Sequence, residues 1–185
     1  MLKSLFTLLA FILFFGLQGQ KNDLKSPYEF MPHTYGEAFT PHHLLVDYFE
    51  YIAENVDHIT LQEYGRTNEN RPLLLTVISS KRNIQNIEKI RQANLIRAGL
   101  LEGEVDWKEN TAIVWLGYSV HGNEAAGSES SLDVLYELAN KDNKEIQSWL
   151  ENTVVIMDPA VNPDGYSRYT HWYTQMENTI PNVNE

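Results

Sequence analysis

The chain has 185 residues, a formal net charge of −11 and no cysteine. That length supports one domain with a real core. The acidic balance repels phosphate backbones and so excludes nucleic acid as a partner. The lack of cysteine excludes disulfides, thiolate metal sites and a lipid-modified cysteine.

The N-terminus, "MLKSLFTLLAFILFFGLQGQ", carries Lys3, an apolar run from Leu5 to Leu17, then small and polar residues. At a helical rise of about 1.5 Å that run spans roughly 20 Å, short of the roughly 30 Å hydrocarbon layer. Residues 1–19 therefore read as a cleaved secretory signal, which predicts a secreted or periplasmic protein with no stable membrane anchor. Residues 20–40 are rich in turn formers and read as a loose leader.

From His42 to Asn55, Leu45, Tyr48, Phe49 and Ile52 fall on one helical face, with Pro41 in the first turn and Thr40 as the predicted cap. Two β-rich runs around "GRTNEN" predict a hairpin. Ile84, Ile87, Ile90 and Leu95 predict a helix from Asn83 to about Ala98. "TAIVWLGYS" is too continuously apolar for a one-sided strand and predicts a central strand covered on both faces. A helix is expected from Glu124 to Asn140, and a short one from Lys144 to Leu150. A second buried strand, "TVVIMDPA", then ends at "NPDG", where Pro163 presets φ and Gly165 closes a turn. Strand, helix and buried strand together imply a parallel crossover.

Sites in open α/β sheets form beyond the carboxyl ends of strands. "HGNE", residues 121–124, and "NPDG", residues 162–165, both occupy such ends, so neighbouring strands would set these loops side by side. Imidazole and carboxylate are ligands that zinc accepts at about 2.0–2.2 Å, and three residues of separation at a helix entry can aim His121 and Glu124 at one point. Gly122 permits a sharp turn, and Ala125, Ala126 and Gly127 keep the helix start slim. The alternative reading is that Glu124 charges the first helical turn, where the dipole favours it, while His121 is a loop residue. A serine hydrolase using Ser119 is a further alternative, although "GYSVHG" has one residue too many for the G-x-S-x-G elbow. A non-catalytic exported binding module is another.

Three segments in order resemble the zinc carboxypeptidases of the M14 type: "YGRTNENRPLLLTVIS", "HGNE" and "VNPDGY". The resemblance covers roughly residues 40–170. It implies a mixed, mostly parallel sheet with helices on both faces, and His121 and Glu124 as two ligands of one Zn2+. The implied reaction is hydrolysis of a C-terminal peptide bond in a peptide or protein substrate. It also implies a third ligand from a later histidine, an Asn-Arg pair and a general-base glutamate. None of these is recognisable before Glu185, and His171, in an aromatic-rich stretch, lacks the third ligand's spacing. On this reading residues 41–185 are the N-terminal portion of the domain, catalytically incomplete alone. Arg168 is the candidate for gripping a substrate carboxylate, because a guanidinium offers a planar fork of donors. Tyr166, Tyr169, Trp172 and Tyr173 are candidates for a cleft wall or for packing, and Asn162 and Asp164 for turn-making.

Overall fold

The computed structural model describes residues 24–104, 106–108 and 111–176. The predicted signal segment lies outside the described residues. Four strands form one sheet: β1 (Ile59–Arg66), β2 (Pro72–Ile78), β3 (Ala112–Gly117) and β4 (Thr153–Asp158), in the spatial order β1-β2-β4-β3. The β1/β2 and β2/β4 pairs are antiparallel, and β3 runs parallel to β4. The helices are α1 (Pro27–Phe30), α2 (His42–Asn55), α3 (Lys81–Gln85), α4 (Ile87–Arg97), α5 (Ala125–Ala139), α6 (Lys144–Leu150) and α7 (Pro163–Met176).

The core forms where α2 and α5 meet the sheet. Leu45, Tyr48, Phe49 and Ile52, the predicted stripe of α2, are all fully buried, and they join Leu132, Leu135 and Ala139 of α5. From the sheet come Leu74 and Ile78 of β2 and Val155 and Met157 of β4, at even spacings that keep each strand's residues on one face. Burying each such large apolar side chain contributes roughly 1.5–3 kcal/mol. The hairpin, α2, α6 and the buried β4 all occur where the pattern of the residues places them.

Several expectations are corrected. β3 is the edge of the sheet, not a covered central strand, and Ala112 to Trp115 are all exposed. The single helix expected after the hairpin is two helices, α3 and α4, because Asn86 leaves helical geometry (φ −112°, ψ 17°) and bonds its side chain back to Arg82 O at 2.7 Å. Such local side-chain bonds compete with helix propagation. Asn162-Pro163-Asp164-Gly165 is not an isolated turn but the start of α7: the Asn162 side chain accepts from Gly165 N at 2.9 Å, and Pro163 occupies the first turn. The aromatic stretch with His171 is therefore helical.

Thr40 does not cap α2, whose N-cap is Pro41. Both Thr40 donors are instead taken by the Glu129 carboxylate on α5, its backbone N–H by Oε1 and its hydroxyl by Oε2 at 2.8 Å. The Tyr166 hydroxyl of α7 lies 2.9 Å from the same Oε1 and 2.6 Å from Thr40 O. Tyr35 bonds Glu129 O at 2.8 Å and Asp133 at 3.0 Å, so the leader is docked on the body, with Met31 and Tyr35 in the core. One carboxylate thus joins the leader, α5 and α7. Replacing Glu129 by alanine strands the two Thr40 donors, at about 1–3 kcal/mol each. Urea unfolding should register a loss of about 3 kcal/mol for Glu129→Ala and distinctly less for Glu129→Gln, which keeps an acceptor.

Candidate metal centre

The loops after β3 and β4 are laced by three backbone hydrogen bonds: Tyr118 N to Asp158 O at 3.0 Å, Val161 N to Tyr118 O at 2.9 Å, and Asn162 N to Ser119 O at 3.2 Å. This lacing arises because β3 and β4 are parallel neighbours whose chains leave the sheet at the same end. The loops then touch backbone to backbone. A Cβ on Gly122 would stand 2.0 Å from Gly165 C and 2.2 Å from Tyr166 N. Glycine at 122 is required by this approach, not by a left-handed turn, because the positive φ in the loop belongs to Ser119 (+46°).

Ser119 is buried and its hydroxyl donates to Glu124 O at 3.0 Å, with Ser128 N donating to it at 3.1 Å. It ties the loop to the first turns of α5. No histidine is among its hydrogen-bond partners among the described residues, so the base that a serine nucleophile needs is not beside it. Asp158, at the end of β4, is also buried. Its carboxylate accepts from the Tyr64 hydroxyl at 2.7 Å and from Ala160 N at 3.2 Å. Burial raises the Asp158 pKa, partly opposed by those two bonds. Sequence reading missed this residue, although an acid closing an apolar strand is a visible signal.

On that clamped backbone, His121 and Glu124 turn outward together. Their side chains are 73% and 64% exposed, and His121 Nδ1 lies 3.3 Å from Glu124 Oε1. Two bonds of roughly 2.1 Å meeting at a tetrahedral angle hold their donor atoms about 3.4 Å apart. The pair therefore has the spacing of two ligands on one zinc ion. Among the described residues no group of three or more metal-binding side chains comes together.

Beside Glu124 is a cavity of about 420 Å³ walled by Phe39, Tyr118 and Tyr169 and floored by Ala125, Ala126 and Gly127. Phe39 comes from the leader, a contribution that sequence reading missed; it packs edge-on against Tyr173 with ring centres 5.1 Å apart. Tyr166 is fully buried and structural. Arg168 faces a separate cavity of about 650 Å³, shared with His42, Arg71 and His171. Its guanidinium pairs with Glu69, which also binds Arg71. Those bonds, Arg71 first, hold the Glu69 carboxyl below its ordinary range. Arg71 continues to Asp164 at 2.7 Å, and Thr67 donates to Asp164 at 2.7 Å, so the hairpin tip is stapled to the first turn of α7.

The glycine contact and the buried His42 each set a measurable expectation. Gly122→Ala must push the loops apart against backbone, so its stability in urea should fall by about 3 kcal/mol or more. Gly165→Ala meets first the movable Asn162 side chain, at 2.7 Å, and should cost less. Burial, with Arg71 and more weakly His43 acting against the charge and Asp164 partly offsetting it, holds His42 down to about 4 from an ordinary 6.5. Between those values the unfolded chain binds more protons, so stability should fall as pH drops from about 6.5 to about 4, by up to about 3 kcal/mol. The difference between wild type and His42→Gln in urea midpoints across that window isolates the effect.

The family model described as zinc carboxypeptidase matches residues 45–183, most of the chain. No curated protein matches the sequence. Among solved structures, a protein assigned as a carboxypeptidase from Burkholderia mallei ATCC 23344 shares 15% identity over 73% of this chain and 28% of its own, with a TM-score of 0.52. A metallo-carboxypeptidase from Burkholderia cenocepacia matches at 15% identity over 73% of this chain and 30% of its own, with a TM-score of 0.51. Thrombin activatable fibrinolysis inhibitor matches at 17% identity over 70% of this chain and 27% of its own, with a TM-score of 0.50. The chain thus spans under a third of the length of these structures, and what they share is the fold. By the family match, the chain belongs to the zinc carboxypeptidases of the M14 type.

Proposed function

We propose that His121 and Glu124 hold zinc in a metallocarboxypeptidase that hydrolyses peptide C-termini. The observation that carries this is the 3.3 Å approach of an imidazole nitrogen and a carboxylate oxygen on an exposed, rigidly backed loop. When bound, zinc supplies Lewis acidity toward a peptide carbonyl and acidifies water at its open position. Residues 121–124 orient the ion, and the clamp around Gly122 and Ser119 keeps both donors aimed together. The adjoining cavity, with Phe39 and Tyr169 on its walls, gives an extended peptide somewhere to lie.

Catalytic zinc takes three protein ligands, and two donors converge here. A complete catalytic site on this reading adds a third ligand and a general base to the two side chains that converge among the described residues. Arg168 would have to leave Glu69 before gripping a substrate carboxylate, which makes bracing the hairpin its resting role. Export rests on the apolar run at residues 5–17. No helix among the described residues is long and apolar enough to cross a membrane.

Zinc titration of the purified chain, paired with metal analysis after dialysis, tests this reading. His121→Ala and Glu124→Gln should each weaken zinc binding on the order of tenfold or more, with unfolding midpoints unchanged because both side chains are exposed. Equal zinc uptake by wild type and His121→Ala would favour the metal-free binding module instead.

A further inference from the structure

We propose that the cavity at the amino ends of β3 and β4 is a second site, one that binds the phosphate group of a small soluble ligand. It stands independently of the zinc reading.

The cavity holds about 350 Å³ and is lined by Arg82 of α3, Lys89 of α4, Lys108 of the following loop, and Asn86, Thr111 and Asn152. Thr111 and Asn152 immediately precede β3 and β4, whereas His121 and Glu124 follow the far end of β3. The six residues of β3, at about 3.3 Å each, put roughly 20 Å between the two ends. The cavity walls are fixed by side-chain amides. The Asn83 amide nitrogen, on a side chain only 4% exposed, reaches Ser79 Oγ at 3.0 Å, Glu151 O at 3.1 Å and Leu150 O at 3.2 Å. This holds α3 against the end of α6. Asn94 donates to Ile90 O at 2.9 Å and to Thr111 O at 3.4 Å, which holds α4 against the start of β3.

Charge identifies the ligand. Residues 81–97 contain five of the chain's 14 lysines and arginines and one carboxylate, Glu88, in a molecule of net charge −11. Glu88 is engaged along its own helix, bonded twice to Arg91 at 2.7 Å. None of the described residues lining the cavity is a carboxylate. Lys89 also falls in the first turn of α4, where the helix dipole favours an anion over a cation. Gathering three cations around one cavity costs mutual repulsion, which a bound anion offsets. A phosphate ester, with a charge of about −1.5 to −2 and three acceptor oxygens, answers three cations better than a carboxylate with one charge.

Size and surroundings narrow the source. The volume is near the lower end of ligand cavities, about 300–1,000 Å³. Charges beyond a Debye length of about 8 Å are screened at physiological ionic strength, so the local cations and not the net charge set the field inside. A phosphate polymer or a membrane surface extends further and meets the exposed Glu102, Glu104 and Asp106 on the loop before Lys108. A small soluble phosphate ester stays within the cavity.

Calorimetric titration of the purified chain with inorganic phosphate and with phenyl phosphate, in chloride buffer of matched ionic strength, tests this. Wild type should bind both saturably. Lys89→Gln and Lys108→Gln should each weaken binding about tenfold, and Arg66→Gln, which removes the same charge from the hairpin, should not. All three side chains are exposed, so unfolding midpoints without phosphate should agree. Phosphate should raise the midpoint of wild type and leave that of the Lys89→Gln, Lys108→Gln double variant in place. Three results overturn the proposal. One is no saturable binding by wild type. Another is equal binding by wild type and the double variant, the mark of an adventitious ion. The third is Lys89-dependent capture of the chain by vesicles of equal parts phosphatidylcholine and phosphatidylglycerol, which would make the source a lipid headgroup. Zinc uptake at His121 is scored separately, so the two sites fail independently.

Discussion

The contact on which the site depends is the meeting of Gly122 with Gly165. Two parallel strands deliver their loops to the same end of the sheet, but delivery alone leaves the loops free to splay. Backbone atoms pressed together where any Cβ would collide, with three hydrogen bonds lacing the loops, remove that freedom. The loop therefore gets its rigidity from main chain, and the His121 and Glu124 side chains need no packing to be positioned. This is how two groups can be largely exposed yet 3.3 Å apart. Exposure leaves both donors open to the solvent.

Two further devices keep α7 in place so that Gly165 stays against Gly122. From the core side, Glu129 gathers Thr40 and Tyr166, joining the leader, α5 and α7 through one carboxylate. From the hairpin, Glu69, Arg71, Arg168 and Asp164 staple the strand tip to the helix. The exposed pairs of the staple add little energy singly. Their effect is on geometry, because Asp164 sits in the helical turn that contains Gly165. The carboxylates that make the chain acidic are thus partly engaged in holding elements together, not spread evenly as a solvating surface.

Periodicity makes α2, α6, the hairpin and β4 legible, because in each the buried stripe lies within the chain's own core. The same pattern gives Asn162–Gly165 as a turn, since Asn, Pro and Asp at a type I turn are also the residues that start a helix; only the spacing of the residues after Gly165 distinguishes them. Thr40 reads as a cap because caps are local, whereas its actual partner is 89 residues away. Asn86 breaks a helix that its apolar spacing would continue. At the site, the loop placement and the His121–Glu124 pairing are legible from motif and strand ends. The glycine contact and Phe39 are not, since each depends on a neighbour brought by the fold, whereas Asp158 is signalled by its place at the end of an apolar strand.

β3 differs from these cases. Its residues read as a covered strand, because three branched or aromatic side chains stand in a row, uncharged and alternating between faces, yet Ala112 to Trp115 are exposed. The supply of neighbours is what fails, because four strands with α2 and α5 bury β4 and leave β3 open. A local misreading, as at Thr40 or Asn86, is resolved by finding the partner elsewhere in the chain. At β3 no such partner appears among the described residues, so pattern and burial disagree there for want of a neighbour. His121 and Glu124 differ again, since each is the other's partner at 3.3 Å while both stay exposed.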